Sequence, residues 1–406
     1  YGQRKRRGSE TNQVTLMSVV RNGLSYASRL TPKTEKGGGM GGPEYRDAPE
    51  VIAKKTIHLA ELFKSSKNCV ILTGAGISTS AGIADFRGPN GVWTAEKKGK
   101  NPPKCGSFEL ANPTLTHMAL VGLINAGHVN LVISQNVDGL HMRSGIPRDK
   151  MAELHGNLFL ETCEDCGAEY LRDFDVGGIS FKTTGRFCTK QDCKGALRDT
   201  LLDWDDPLPE PELQKAQDAI NACDLCICLG TSLRIRPASE LPVMAARRGA
   251  KLVICNLQNT PKDKHAYMNI HSPVDDVMSG LLALLAVPIP RFLREVHLVV
   301  TIRPRDDGDD APHSISVRSS VGEFCPVPYI EDCGLHAVLD GPPGGPHGTG
   351  FLSEDDDEDE EDEKPLSQLI GPPWRKELLP GARRLRLTVR WAGERGPREM
   401  ATVDLE

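Results

Sequence analysis

No apolar run in this sequence is long enough to cross a bilayer as a helix. The longest lies around Leu281–Val287, far short of the ~20 residues a spanning helix needs. Cysteine is sparse too: 12 in 406 residues cannot form the dense disulfide framework of a small secreted domain. With no secretory-signal pattern visible, a reducing compartment is expected, and closely paired cysteines are read first as metal ligands. The chain opens on Tyr1 and not on a methionine, which leaves its natural start open.

Excess charge is lacking outside one segment. The formal net charge is −6, but Glu354–Glu363 is an unbroken run of ten acidic residues. Without it, Asp and Glu fall from 55 to 45 against 49 Lys and Arg, a balance of +4. The chain is a mildly basic body carrying one acidic tract. Its length admits two or three domains at roughly 100–200 residues each. With 39% hydrophobic and 26% charged residues, most of it should be a soluble globular protein. Glycine (40) and proline (29) are somewhat abundant, which suggests long loops or tails.

Residues 1–46 read as a disordered segment holding the basic run Arg4-Lys5-Arg6-Arg7 and the glycine-rich Gly37–Gly42. From 47 to 290, helical and strand patterns alternate. Glu50–Lys64 has apolar residues at helical spacing. Cys69–Leu72, Leu131–Ile133, Leu225–Leu229 and Leu252–Cys255 are short, almost continuous apolar runs, as in strands of a parallel sheet buried on both faces. The expected fold is α/β, a doubly wound parallel sheet. Residues 291–406 form an extension in which 296–303, 314–321, 384–391 and 400–405 read as strands, with an acidic linker at 354–363. Along Arg384–Trp391 the alternation of apolar and basic or polar residues is strict, so a small β module is expected there.

The segments after the four apolar runs carry the functional signal. They are Thr73-Gly74-Ala75-Gly76-Ile77-Ser78, Ser134-Gln135-Asn136-Val137-Asp138-Gly139, Gly230-Thr231-Ser232 and Asn256-Leu257-Gln258. Ligands of open α/β sheets bind beyond the carboxyl ends of the strands, and four such polar ends suggest one polar ligand lying across them. Gly74-Ala75-Gly76 after a strand and before a helix pattern can bring backbone N–H groups to a pyrophosphate. The third glycine of the dinucleotide fingerprint is replaced by Thr79, so a plain tight turn competes. Cys163-x₂-Cys166 and Cys188-x₄-Cys193, separated by 21 residues, can close a tetrahedral zinc site with no open position. A redox pair is the rival for the first two cysteines and leaves the second two unexplained. Cys226 and Cys228 read as core. His155, in Glu153-Leu154-His155-Gly156-Asn157, could serve as a general base; alone it reads as a satisfied loop histidine.

These motifs, with Asp85-Phe86-Arg87-Gly88 and Leu140-His141, occur together and in order. In that combination the sequence resembles the sirtuins, NAD-dependent protein-lysine deacylases, over about residues 45–290. Gly88-Pro89-Asn90-Gly91-Val92-Trp93, Leu197-Arg198-Asp199-Thr200 and Asp203-Trp204 resemble the class IV branch. Met17-Ser18-Val19 with Gly23-Leu24-Ser25 resembles the start of one member, which makes Met17 a candidate initiator and sets Arg4–Arg7 outside the working protein. The resemblance implies a Rossmann-like domain over 47–290 with a small zinc module at about 156–200. It implies that Gly74, Ala75 and Gly76 hold the NAD pyrophosphate, with Thr79, Asp85, Phe86, Arg87 and Trp93 around the cofactor. Gln135, Asn136 and Asp138 would line the ribose and nicotinamide pocket. Gly230, Thr231, Ser232, Asn256, Leu257, Gln258 and Val274 would hold the adenosine half, and His155 would be the general base beside Asn136 and Asp138. Structural zinc would sit on Cys163, Cys166, Cys188 and Cys193. The implied partner is an acylated protein lysine, on histones or other chromatin, in the nucleus, with no membrane. Mono-ADP-ribosyl transfer at the same site and a non-catalytic, chromatin-bound NAD sensor are the alternatives. Ala84 departs from the proline usual before the Asp85-Phe86-Arg87 loop, the x₄ spacing departs from the common x₂, and 291–406 match no pattern of the family.

Overall fold

The computed structural model describes residues 26–33 and 36–293, together with six β-strands lying between 298 and 404. The four apolar runs form β1 (Cys69–Thr73), β2 (Leu131–Ser134), β8 (Leu225–Leu229) and β9 (Lys251–Cys255). Short β3 (Met151–Glu153) and β10 (Met268–Ile270) flank them in a six-stranded parallel sheet of order β10-β9-β8-β1-β2-β3. The chain adds strands outward from β1 on one side, then returns to its other side at β8. The crevice between β1 and β8 is therefore the topological switch point of a doubly wound sheet.

Strand periodicity decides how the sheet is covered. Cys69 and Ile71 enter one core with α1 (Pro49–Ser65), α3 (Leu115–Asn125) and α7 (Val274–Leu285). Val70 and Leu72 enter the opposite core with α5 (Glu210–Ala222) and α6 (Leu241–Arg247). Successive residues of a strand point to opposite faces, so an unbroken apolar run supplies both cores at once. Cys226 and Cys228, fully buried in the second core, are packing residues as expected. Two short helices complete this part: α2 (Val92–Lys97) and α4 (Leu140–Arg143).

Between β3 and α5 an antiparallel sheet of order β5-β4-β7-β6 is inserted. It comprises β4 (Leu160–Cys163), β5 (Glu169–Leu171), β6 (Thr183–Phe187) and β7 (Ala196–Asp199). Too small to bury much apolar surface, it is held by polar contacts. The fully buried Glu161 carboxylate accepts from Arg172 Nε at 2.7 Å and Arg186 Nε at 2.8 Å, and from the Thr184 hydroxyl. Removing one partner of a buried ion pair strands the other charges and costs about 3–5 kcal/mol. Glu161→Ala should therefore lower the denaturant midpoint of this sheet's unfolding by a corresponding amount. A midpoint unchanged at constant slope would show that solvent replaces the carboxylate.

The structure corrects one expectation. Residues 26–33 and 36–46, read as disordered, lie against the folded body. Tyr26 Oη donates to Leu202 O at 2.7 Å, Thr31 N to Asp203 Oδ1 at 3.1 Å, Gly41 N to Arg87 O at 2.9 Å and Tyr45 N to Leu257 O at 2.8 Å. Tyr26 and Leu30 also pack on Val137, Leu158 and Phe159. The sequence hid this because the partners are remote along the chain, 176 residues for Tyr26 and 172 for Thr31.

Beyond residue 293 the described strands are β11 (Leu298–Arg303), β12 (Ser314–Ser319), β13 (Ile330–Val338), β14 (Trp374–Glu377), β15 (Arg384–Trp391) and β16 (Glu399–Asp404). They pair antiparallel as β11-β12-β14 and β13-β15-β16. Four coincide with expected strands; β13 and β14 were not expected. Arg4–Arg7, Met17 and the acidic run 354–363 lie outside the described residues.

Candidate active site

A cavity of about 450 Å³ opens at the β1/β8 switch point. Gly74, Ala75 and Gly76 line it from the turn after β1, Gln135 and Asn136 from the segment after β2, and His155 from that after β3. Gly230, Thr231 and Ser232 line it from β8, and Asn256 and Gln258 from β9; Asp85, Phe86, Arg87 and Trp93 close it from the segment leading into α2. All are residues singled out from the sequence.

The cavity exists because two turns meet backbone to backbone. A Cβ on Gly76 would stand 2.8 Å from Gly230 Cα, and one on Gly230 would stand 2.7 Å from Gly76 C. Gly230 also has φ +57°, a region disfavoured for residues with a Cβ. The expected helix does not start after this turn. Two single 3₁₀ turns, 75–77 and 79–81, follow instead, and Gly74 N and Gly76 N already donate to Leu229 O and Gly230 O. This turn therefore presents no helix N-terminus to a pyrophosphate.

Polar side chains cross-brace the crevice. Gln135 Nε2 donates to Thr231 Oγ1 at 2.9 Å and to Thr73 O at 3.2 Å, linking β2 to β8 across β1. Asn136 Nδ2 donates to Gly74 O at 3.1 Å. Behind it, buried Asp138 accepts from Ser78 Oγ at 2.6 Å and Leu140 N at 2.9 Å. Gln258 Nε2 donates to Gly42 O at 2.7 Å, tying the amino-terminal segment to the rim. Arg87 stacks 4.8 Å over the Trp93 ring and donates through Nη2 to Lys36 O, while its buried Nη1 has no partner among the described residues. Burial pulls its pKa down to about 10, so it remains a cation at neutral pH. A buried cation with no ion pair among the described residues, at the rim of a cavity, suits a phosphate-bearing ligand.

His155 sits at the inner wall. Its Nδ1 lies 2.9 Å from Gln135 O. A carbonyl only accepts, so Nδ1 carries the proton of the neutral ring and Nε2 keeps the lone pair. Burial lowers the histidine's pKa, opposed by the Gln135 hydrogen bond. The ring is thus a neutral base near pH 7.

Four expected residues stand apart from the cavity lining: Thr79, Asp138, Leu257 and Val274. Thr79 Oγ1 donates to Gly76 O, Asp138 braces Ser78, Leu257 O receives the Tyr45 amide, and Val274 packs in the core. Several lining residues had been assigned no role: Tyr26, Leu30, Leu202, Trp204, Pro207 and Ile235. Phe86, Trp93 and Trp204 stack in sequence, with ring centroids 4.5 and 5.0 Å apart. Asp203-Trp204 was visible as a motif; the stack that gives it a place was not.

The four cysteines also converge. All their Sγ atoms lie within 4.8 Å of one another, with Cys163–Cys193 at 3.6 Å and Cys166–Cys188 at 3.7 Å. A tetrahedron of Zn–S bonds ~2.3 Å long has edges of about 3.8 Å. The donor set fits structural zinc, and none of the four lines the cavity.

Residues 104–237 match a family model described as the Sir2 family. The chain is 46% identical over 308 residues to "NAD-dependent protein deacetylase SRT1" of Oryza sativa subsp. indica, covering 76% of this chain and 64% of that one. It is 50% identical over 311 residues to the Arabidopsis thaliana protein of the same name, covering 76% and 66%. It therefore spans just under two thirds of these relatives' length. With "NAD-dependent protein deacetylase Sirt6" of Drosophila melanogaster it shares 46% identity over 275 residues, covering 66% of this chain and 86% of the relative. The chain belongs to the Sir2 family, the sirtuins.

Proposed function

We propose that this sirtuin is an NAD-dependent protein-lysine deacylase of the class IV kind, acting on acylated histones in the nucleus. The observation that carries this reading is the meeting, in one cavity at the switch point, of the Gly74–Gly76 turn, Asn136 and a neutral His155 whose Nδ1 is held by Gln135 O, leaving the lone pair on Nε2. The relatives' names, NAD-dependent protein deacetylases, support the same chemistry.

NAD is consumed as co-substrate, supplying an activated ribose carbon. Arg87, Gly74–Gly76 and the β8 and β9 ends would bind and orient it; Gln135 and Asn136 would hold the ribose and nicotinamide, with Asp138 bracing that wall. The acyl-lysine carbonyl oxygen forms the new bond to the ribose carbon as nicotinamide leaves. His155 Nε2 would accept the proton of a ribose hydroxyl as that oxygen attacks the acyl carbon; the lysine amine would leave with a proton, and one solvent water would add to the remaining acyl–ribose cation to give 2′-O-acyl-ADP-ribose. No protein nucleophile is required.

The test is to incubate the purified chain with NAD and acylated histone peptides and identify the product. Free lysine with nicotinamide and 2′-O-acyl-ADP-ribose is expected. ADP-ribosylated protein would favour transfer to protein, and no nicotinamide release would leave a sensor.

The acidic run 354–363 is assigned to chromatin engagement and not to catalysis. Its charge would attract basic histone tails, screened over about 8 Å at physiological salt. Deleting Glu354–Glu363 should leave turnover of a short acyl-peptide unchanged and alter histone binding in a salt-dependent way. Equal binding by both forms at low and high salt would reduce the tract to a linker.

A further inference from the structure

The glycine-rich turn after β1 faces the cavity with no long side chain of its own to fix it. On the β8 side it is held by the backbone bonds to Leu229 and Gly230. On the other side, four buried side chains grip both of its ends. At the start, Thr73 Oγ1 lies 2.8 Å from His141 Nε2. At the far end, the Thr114 hydroxyl donates to Ile77 O at 3.0 Å. Between them, Thr114 Oγ1 lies 2.7 Å from His117 Nδ1, and the rings of His117 and His141 are 4.8 Å apart. The path Thr73–His141–His117–Thr114–Ile77 is thus a bracket drawn from β1, α4 and the start of α3, its middle link a ring contact, since His141 Nδ1 and His117 Nε2 make no hydrogen bond among the described residues.

None of the four side chains lines the cavity. Burial pushes the pKa of each histidine down to about 3, so both rings are neutral and act through shape and hydrogen bonding. Two hydroxyls and two imidazoles are a costly way to fill a core. A purely apolar filling would leave the start of the turn to the backbone bonds on the β8 side and to Gln135 and Asn136, with Ile77 O losing the Thr114 hydroxyl.

We propose that His141 and His117, with Thr73 and Thr114, are positioning residues that hold the Gly74–Ile77 turn in register for the dinucleotide and so set NAD affinity. This rests on the reading of the cavity as an NAD site. The test is calorimetric titration of the full chain with NAD, alongside steady-state kinetics. Thr73→Val removes the hydroxyl and keeps the shape; His141→Phe keeps a ring. Each should weaken NAD binding about tenfold, the effect of one buried hydrogen bond. The double variant should be about as weak as the weaker single one, because both remove the same bond. KM for acyl-peptide should stay within about twofold of wild type, since the bracket bears on the cofactor side alone. His141→Gln, whose amide can still reach Thr73, should recover to within about threefold of wild type. A role in stability alone would lower the melting temperature without this split. Wild-type protein that binds no NAD would overturn the functional reading and this inference with it. Wild-type protein that binds NAD, beside Thr73→Val and His141→Phe that bind equally well, would overturn this inference alone. If His141→Phe does not fold, the isosteric Thr73→Val decides.

Discussion

Replacing His155 by alanine is expected to lower deacylation about 10²–10⁴-fold, the usual contribution of a general base, with the fold and most NAD affinity intact. A base acts on a proton in the transition state, whereas cofactor contacts are spread over the ends of β1, β2, β8 and β9. Retention of more than about a tenth of wild-type turnover would assign the proton to another group. The pH profile gives an independent check. His155 acts when unprotonated, and its pKa is held below the ordinary histidine value by burial. Activity should therefore be flat through neutrality and fall on the acid side, with the limb of kcat/KM displaced below ~6.5. A histidine limb above that value would mean that solvent or a carboxylate reaches the ring.

Serine in place of Cys163, Cys166, Cys188 or Cys193 should abolish stoichiometric zinc and unfold the inserted sheet. Structural zinc binds with ~10–16 kcal/mol in small peptides, and that free energy is folding free energy. Domains are stable by only ~5–15 kcal/mol, so even partial loss should show. The damage should reach the active site by a specific route. Asn157 N donates to Thr200 Oγ1 at 3.0 Å, and a Cβ on Gly156 would stand 1.8 Å from Thr200 O. The residues after His155 thus rest on the end of the zinc sheet. Turnover should fall more than NAD affinity. Elemental analysis finding active protein without zinc would falsify the assignment.

How much could be read beforehand depended on the range of the interactions. Strands buried on both faces leave unbroken apolar runs, so β1, β2, β8 and β9 were legible, while three-residue β3 and β10 were not. Chemistry that turns on residue type was legible too: the cysteine pairs, the glycine turn and His155. Two sorts of information were missing. One was tertiary reach, as in Tyr26 and Leu30, whose partners are remote in sequence. The other was the difference between lining a cavity and bracing its wall, since Asn136 and Asp138 stand two residues apart in one motif and only the first reaches the space. The tracts beyond residue 293 yielded β15 because its alternation is strict, and hid β13, where Gly334 interrupts the pattern.

The contact between Gly76 and Gly230 has a bearing on ancestry. These residues lie in different turns, yet each occupies the room the other's side chain would need. Enlarging either one collides with backbone, so shrinking the other offers no relief when both are already minimal. Descent by single tolerated steps has no first move away from this pair. A library randomised at both codons and selected for function should return glycine at each, whatever the surrounding sequence has become.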